Sequence, residues 1–297
     1  MTRRRFDCFV YAGEADMLFC RLTELEDIPG LVHIIVEADR THGGNTEKPY
    51  WFDQQRERFA RWDDRIHYVK ATGLPDLADP WSRELAQREW IWKGLEELGA
   101  EPDEIVFQSD VDEIPSELAV RAVHPKGMTV LYQRFHPFAV DWVHPRGYWE
   151  GTVCARVRDI RRMADMRNAR LFAPTVLRDP TGGPMYGWHF SWVTDGTAAK
   201  EAKIRAFCHS EIRPTWEGRL EECWAAGRHV DGAMLVPVDV QAGLWPRWVT
   251  DGYAPAGWFR PRERAAATPV EVPVLVAPFI GRGGVMTADG ERAYTDG

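Results

Sequence analysis

An alternation of short apolar runs with amphipathic stretches constrains the first 110 residues more than any other feature. Phe6 to Tyr11 alternates as a strand. The stretch from about Glu14 to Asp27 carries Met17, Leu18, Leu22 and Leu25 at helical spacing, and Pro29-Gly30 ends it. Leu31 to Val36 is a nearly unbroken apolar run, as expected of a strand covered on both faces, and it closes at Glu37. After the polar loop Asp39 to Lys48, a helix is expected from about Pro49 to Trp62, then a third strand at Ile66 to Val69. The next helix has Ser82 as its expected N-cap, a stripe of Ile91, Leu95 and Leu98, and Gly99 past its end. A β-α-β-α-β-α-β order predicts an α/β fold, a mostly parallel sheet with helices on both faces.

The fourth strand, Ile105-Val106-Phe107, runs into three carboxylates within four residues, Asp110, Asp112 and Glu113. Pro115 and Ser116 then open a helix to about Val123. Ligands of an open α/β sheet bind beyond the carboxyl ends of its strands. In extended chain Asp110 and Asp112 point to the same side. Such a pair suits Mg²⁺ or Mn²⁺, which complete their shells with phosphate oxygens and water. Glu113 also suits the start of the following helix, where an acid is favoured by the dipole. A lone D-x-D is often only a solvated loop, but the strand before it and the Pro-started helix after it favour a metal–diphosphate site.

Past residue 127 the pattern changes. Met128 to Phe135 and Gly151 to Val157 are expected strands, joined by an aromatic segment with Trp142, His144, Trp149 and Glu150. A turn-rich loop, Asp179 to Pro184, leads into Tyr186 to Trp192, and helices are expected at Gly196 to Cys208 and Thr215 to Ala226. From Arg262 the chain is rich in Pro, Ala and Gly. Pro273 and Pro278 break its apolar patch, which suits an extended arm or edge strand.

The formal charge of −8 argues against nucleic acid as the main partner, because that affinity rests on Lys and Arg neutralising phosphates. Five cysteines without a C-x-x-C suit free thiols in a reducing cytoplasm, and no run approaches a membrane span. Fourteen tryptophans offer flat apolar surface on which sugar rings stack, although most of them belong to the core.

Several pieces then occur in a telling order: Glu14, Asp16, Leu18, Arg21 and Glu24-Leu25; Val36-Glu37; Asp110-x-Asp112-Glu113-Ile114-Pro115; Gly187-Trp188-His189-x-Ser191-Trp192; and Asp231-Gly232. Together they resemble glycosyltransferase family 17, over residues 6 to 260 or so. The resemblance implies a GT-A-like (Rossmann-like) α/β fold with a mixed, aromatic-rich C-terminal half. It also implies a nucleotide-sugar donor, UDP-GlcNAc in the animal members, a divalent metal such as Mn²⁺ or Mg²⁺, and inverting transfer to a hydroxyl of a carbohydrate, glycoconjugate or other acceptor. On that reading residues 1–127 bind the donor, 128–261 bind the acceptor and complete the site, and 262–297 are an arm dispensable for chemistry. Asp110, Asp112 and His189 hold the metal. Glu37, Arg88 and Asp110 reach nucleobase or diphosphate, although an ion pair between sheet and helix explains Glu37 and Arg88 equally well. The general base is Glu150 or Asp231. The animal members are membrane-anchored and this chain shows no anchor, so the acceptor stays open. Two other classes compete. A HAD-type phosphohydrolase also follows a strand with D-x-D but needs an acidic pair downstream, whereas Asp63-Asp64 lies upstream. A non-catalytic carbohydrate-binding protein on a transferase fold would lack metal-dependent hydrolysis of a nucleotide sugar.

Overall fold

The computed structural model describes residues 3–260 apart from Gly44, 75–78, Pro174, Gly182, 207–215 and Glu217. Beyond them it describes one two-stranded ribbon, Val285–Met286 with Arg292–Ala293. The expected C-terminal arm otherwise lies outside the described residues.

The alternating first part folds as the apolar runs demand: β1 (Arg5–Val10), α1 (Ala15–Leu25), β2 (Leu31–Ala38), α2 (Trp51–Gln55), β3 (Ile66–Ala71), α3 (Pro80–Glu97) and β4 (Ile105–Asp110). β3, β2, β1 and β4 lie side by side in that order, all parallel. Side chains alternate between the faces. Phe6, Cys8, Ile34, Val36 and Val106 pack with Ile91 and Leu95 of α3 on one face. Phe9, Tyr11 and Ile35 pack with Leu18 and Leu22 of α1 on the other.

Two boundaries differ from the sequence reading. The α3 helix starts three residues early, because Asp79 accepts a hydrogen bond from the Ser82 backbone N–H at 2.8 Å and Pro80 takes the first turn. The cap is therefore Asp79 and not Ser82, as a Pro in the first turn favours. The expected helix from Pro49 to Trp62 divides into α2 and a 3₁₀ stretch, Arg56–Arg65, which buries Phe59 and Trp62.

After β4 the chain makes β5 (Glu113–Ile114), α4 (Glu117–Ala122), β6 (Thr129–Phe135), β7 (Trp142–Val143) and β8 (Tyr148–Arg156). Strand β8 pairs antiparallel with both β4 and β6, so one sheet continues across residue 127 into the second part. Helix α5 (Met163–Phe172), which the sequence reading missed, buries Met163 and Met166 beside α3. Then come β9 (Thr175–Leu177), β10 (Trp188–His189), α6 (Gly196–Ala206), α7 (Leu220–Ala226), β11 (Val236–Pro237) and α8 (Arg247–Thr250). Gly227 closes α7 at φ 60°, as its place in the sequence suggests. Of the cysteines, Cys8, Cys20, Cys154 and Cys223 are buried free thiols.

Glu24 on α1 ties distant parts of this fold together. It is buried, and its carboxylate accepts the first backbone N–H groups of both α4 (Glu117, 3.2 Å) and α8 (Arg247, 3.2 Å). Burial raises its pKa from 4.5 to about 7, against the opposing pull of those two hydrogen bonds. Between these values the folded state binds more protons than the unfolded one, so stability falls as pH rises through that window. Glu24→Gln loses one of the two acceptors and is expected to cost less stability at pH 8 than at pH 5, by a difference on the order of 2 kcal/mol. Urea midpoints at the two pH values measure it, and an equal effect at both would contradict the assignment.

Candidate active site

In the sheet order the chain passes from β1 outward to β3 and returns to β4 on β1's other side. The carboxyl ends of β1 and β4 thus flank a topological switch point, where such sheets bind ligands. Val10 and Asp110, paired at that end, both line a cavity of about 1020 Å³.

The acidic loop is held from below by Arg21 of α1, which is completely buried. Its guanidinium donates to the carbonyls of Asp110 (2.9 Å), Val111 (3.3 Å) and Glu113 (3.0 Å) and to Ser109 Oγ (2.7 Å). The same group pairs with buried Asp7 at 2.5 Å and 2.9 Å, and His33 stands 2.9 Å from that carboxylate. Burial pushes the Asp7 carboxyl up, but the Arg21 charge and the hydrogen bonds from Arg21 and His33 outweigh it and hold it well below the usual range.

Asp110 and Asp112 do not face one another's partners. Strand β4 ends at Asp110, so the extended geometry that would align the two carboxylates stops between them. Asp110 turns toward α3 and α5, where Arg88 pairs with Oδ1 and Arg167 with Oδ2 (2.9 Å). Burial raises its pKa, but Arg167, Arg88 and Arg170 outweigh this and hold it far below the ordinary value. Asp112 faces α6 instead. Lys203 Nζ lies 2.6 Å from its Oδ2, and His189 Nε2 lies 3.8 Å from its Oδ1. Glu113 is not a helix cap: Ser116 caps α4, and the Glu113 carboxylate is buried under Arg170 (2.5 Å) and Trp149 Nε1 (2.7 Å).

His189 reaches this place as part of the sheet. Strand β10 runs between β6 and β5, which sets His189 opposite both Phe135 and Glu113. Its ring stacks on Phe135 at 5.2 Å and against Trp149 at 4.6 Å. Burial lowers its pKa despite the opposing charge of Asp112, so the imidazole is neutral near pH 7. Gly187 makes the close approach of β10 to β5 possible. At φ 114°, a Cβ there would stand 2.1 Å from the Ile114 carbonyl oxygen. The neighbouring atoms of Ile114, Pro115 and Ser116 are all backbone, so Gly187→Ala is expected to destabilise the fold by about 3 kcal/mol and to displace His189. A thermal melt within a degree of wild type would contradict this.

The other sequence candidates fall in different places. Arg88 lines the cavity. Glu37 is fully buried and accepts from Lys48 Nζ (2.9 Å), Trp51 N (2.8 Å), Phe52 N (3.0 Å) and Tyr68 Oη (2.8 Å). It is the sheet-to-helix tie, not a nucleobase contact. Glu150 is absent from the cavity wall that Trp149 lines, since neighbours on a strand point to opposite faces, and it pairs with Arg146 at 2.8 Å. Asp231 is also absent from that wall. The imidazoles of His144 and His229 each lie 3.0 Å from its carboxylate, and they outweigh its partial burial and lower its pKa.

Sequence reasoning missed Arg167 and Arg170 because it missed α5. The signal was there: Met163 and Met166 repeat at helical spacing, and so do the two arginines. It also missed Lys203 and Asp195, which line the cavity, and six tryptophans do the same (Trp51, Trp81, Trp149, Trp192, Trp216 and Trp258). Trp192 adopts φ 62°, rare for a residue of that bulk.

The protein is thus a mixed α/β enzyme fold in outline, a parallel sheet continued by antiparallel strands with carboxylates and cations gathered at the strand ends. The chain belongs to glycosyltransferase family 17, whose model matches residues 1–215, and is a glycosyltransferase. No curated protein matches it significantly. Similar solved structures include a 4-diphosphocytidyl-2C-methyl-D-erythritol synthase, 12% identical with a TM-score of 0.36 over 61% of this chain and 91% of that one. Another is the mannosyltransferase PcManGT from Pyrobaculum calidifontis in complex with GDP-Man and Mn²⁺, 13% identical with a TM-score of 0.38 over 69% of this chain and 61% of that one. At these scores neither carries an argument about the site. Among the described residues no helix is long and apolar enough to cross a membrane.

Proposed function

We propose that the chain is a metal-dependent, inverting glycosyltransferase that moves a sugar, N-acetylglucosamine from UDP-GlcNAc, to a hydroxyl of a carbohydrate or glycoconjugate acceptor. The observation that carries this reading is the meeting of a carboxylate, a neutral imidazole and four cationic side chains in one cavity at the switch point. Asp112 and neutral His189 fit a divalent cation in donor type, whereas both oxygens of Asp110 are committed to arginines. When bound, such a cation supplies Lewis-acid stabilisation to a leaving diphosphate.

The remaining work falls to the chain's own side chains. Arg88, Arg167 and Arg170 crowd one wall, and burial together with the charge of Arg167 lowers the Arg170 pKa. Like charges held this close favour an anion between them, and planar guanidinium forks suit phosphate oxygens. Asp110 and Glu113 hold the forks in place until that anion arrives. The tryptophans offer flat faces to sugar rings and exclude water from the reacting bond. An inverting displacement needs a base on the acceptor hydroxyl. Of the other carboxylates on the cavity wall, Glu14 accepts from Ala12 N, Asp16 pairs with Arg58 and Glu84 pairs with Arg88. Asp195 is exposed there and makes no ion pair among the described residues, and it serves as the base.

A thermal-shift panel of UDP-, GDP- and dTDP-sugars, each with and without Mn²⁺, tests this. A UDP-sugar that raises the melting temperature only when Mn²⁺ is present is the expected result. No shift with any donor would sink the reading.

A further inference from the structure

The cation that Asp112 holds in this structure is the chain's own. Lys203 Nζ lies 2.6 Å from Asp112 Oδ2 and 3.8 Å from Glu14 Oε1, over the face of Trp192 at 6.0 Å. It arrives from α6, whose Ala199, Ala202, Lys203 and Ala206 line the cavity at i, i+3, i+4 and i+7, one face of a helix. The end of that helix is fastened to the loop after β2, where Gly43 N donates to the Ala206 carbonyl at 3.0 Å. Among the described residues of this face, Lys203 alone reaches past the small alanines into the acidic loop.

An ammonium on Oδ2 of Asp112, with the His189 nitrogen 3.8 Å from Oδ1, stands on the same carboxylate that a divalent cation on that pair would use. Two cations on one carboxylate repel, so each weakens the hold of the other. A lysine carries its charge on a flexible four-carbon stem, so it can change partners without moving its helix.

We propose that Lys203 is the resident cation of the unloaded site and a diphosphate ligand of the loaded one. This rests on the reading of the cavity as a metal and nucleotide-sugar site. A divalent cation that comes alone meets the repulsion of the ammonium and brings it no other anion to turn to. A cation that comes with a nucleoside diphosphate brings phosphate oxygens, and Lys203 exchanges the carboxylate for them. Metal and nucleotide therefore strengthen each other's binding, and the coupling is reciprocal. No covalent bond changes in this exchange.

Mn²⁺ binding to the full chain, followed by the electron paramagnetic resonance of the free ion with and without UDP, tests the proposal without any turnover. Lys203→Met is expected to bind Mn²⁺ about tenfold more tightly than wild type when UDP is absent. In wild type UDP should tighten Mn²⁺ binding by about tenfold or more, and in Lys203→Met by much less. Calorimetry should show UDP with Mn²⁺ binding Lys203→Met more weakly than wild type, because a phosphate partner is gone. Lys203→Arg, which keeps the charge, should hold Mn²⁺ as weakly as wild type without UDP. Lys203→Gln replaces the methionine variant if circular dichroism shows that the latter does not fold. Neutral variants that bind Mn²⁺ no more tightly than wild type overturn this inference alone, provided wild type binds Mn²⁺ with UDP. Failure of wild type and variants alike to bind Mn²⁺ with UDP present overturns the metal reading and this inference with it.

Discussion

Arg21→Met is expected to destabilise the protein by about 3–5 kcal/mol, the cost of leaving a buried charge without its partner. Asp7 has no exposed surface, and Arg21 gives it two charge-assisted hydrogen bonds. Methionine fills much of the space but restores neither. The same change strips a donor from the carbonyls of Asp110, Val111 and Glu113, so the acidic loop loses its support as well as the core its balance. Asp7→Asn in the Arg21→Met background should recover part of the loss, because the stranded charge is then gone. Urea denaturation of the single and double variants measures both effects. A single variant within about 1 kcal/mol of wild type would mean that His33 alone suffices for Asp7.

Asp112→Asn is expected to lower turnover by about 10³-fold or more, in the range found when one aimed electrostatic group is removed from a site. The fold should survive, because among the described residues the carboxylate pairs only with Lys203 and His189, at the cavity wall. Asparagine keeps the shape and one carbonyl oxygen but not the charge that attracts a divalent cation. Steady-state rates over a Mn²⁺ series separate weakened metal binding from a lost chemical step. Wild-type turnover in the variant at saturating Mn²⁺ would remove Asp112 from the site. Asp110→Asn should act differently, releasing Arg88 and Arg167 rather than a cation.

These expectations show where the sequence was legible. Alternation in Phe6 to Tyr11 and the apolar run Leu31 to Val36 placed a parallel sheet, since burial on both faces writes itself directly into residue type. The acidic loop was legible for the same reason, as a strand that stops at carboxylates. What each carboxylate faces was not, because that depends on where β4 ends, and a one-residue change in extended chain reverses a side chain. Glu37 looked like a ligand because an acid at a strand end has that appearance. Only the fold shows Trp51 N and Phe52 N already taking its oxygens. Lys203 and Asp195 gave no local signal at all. They enter the site on α6 and on the residue just before it, more than 80 residues from Asp112 in sequence and brought there by tertiary packing alone. His189 was reached through its motif, whereas the strand that seats it between Phe135 and Glu113 is two residues long and carries no periodicity to read.

The most direct test is the release of UDP from UDP-GlcNAc by the purified full chain, with Mn²⁺ and in excess chelator, in wild type and Asp112→Asn. A metal-dependent nucleotide-sugar site at the β1–β4 crevice predicts slow hydrolysis, or faster transfer when an acceptor is present, that Mn²⁺ supports and that both the chelator and the substitution abolish. UDP release that continues undiminished in the chelator, or in Asp112→Asn, would contradict it.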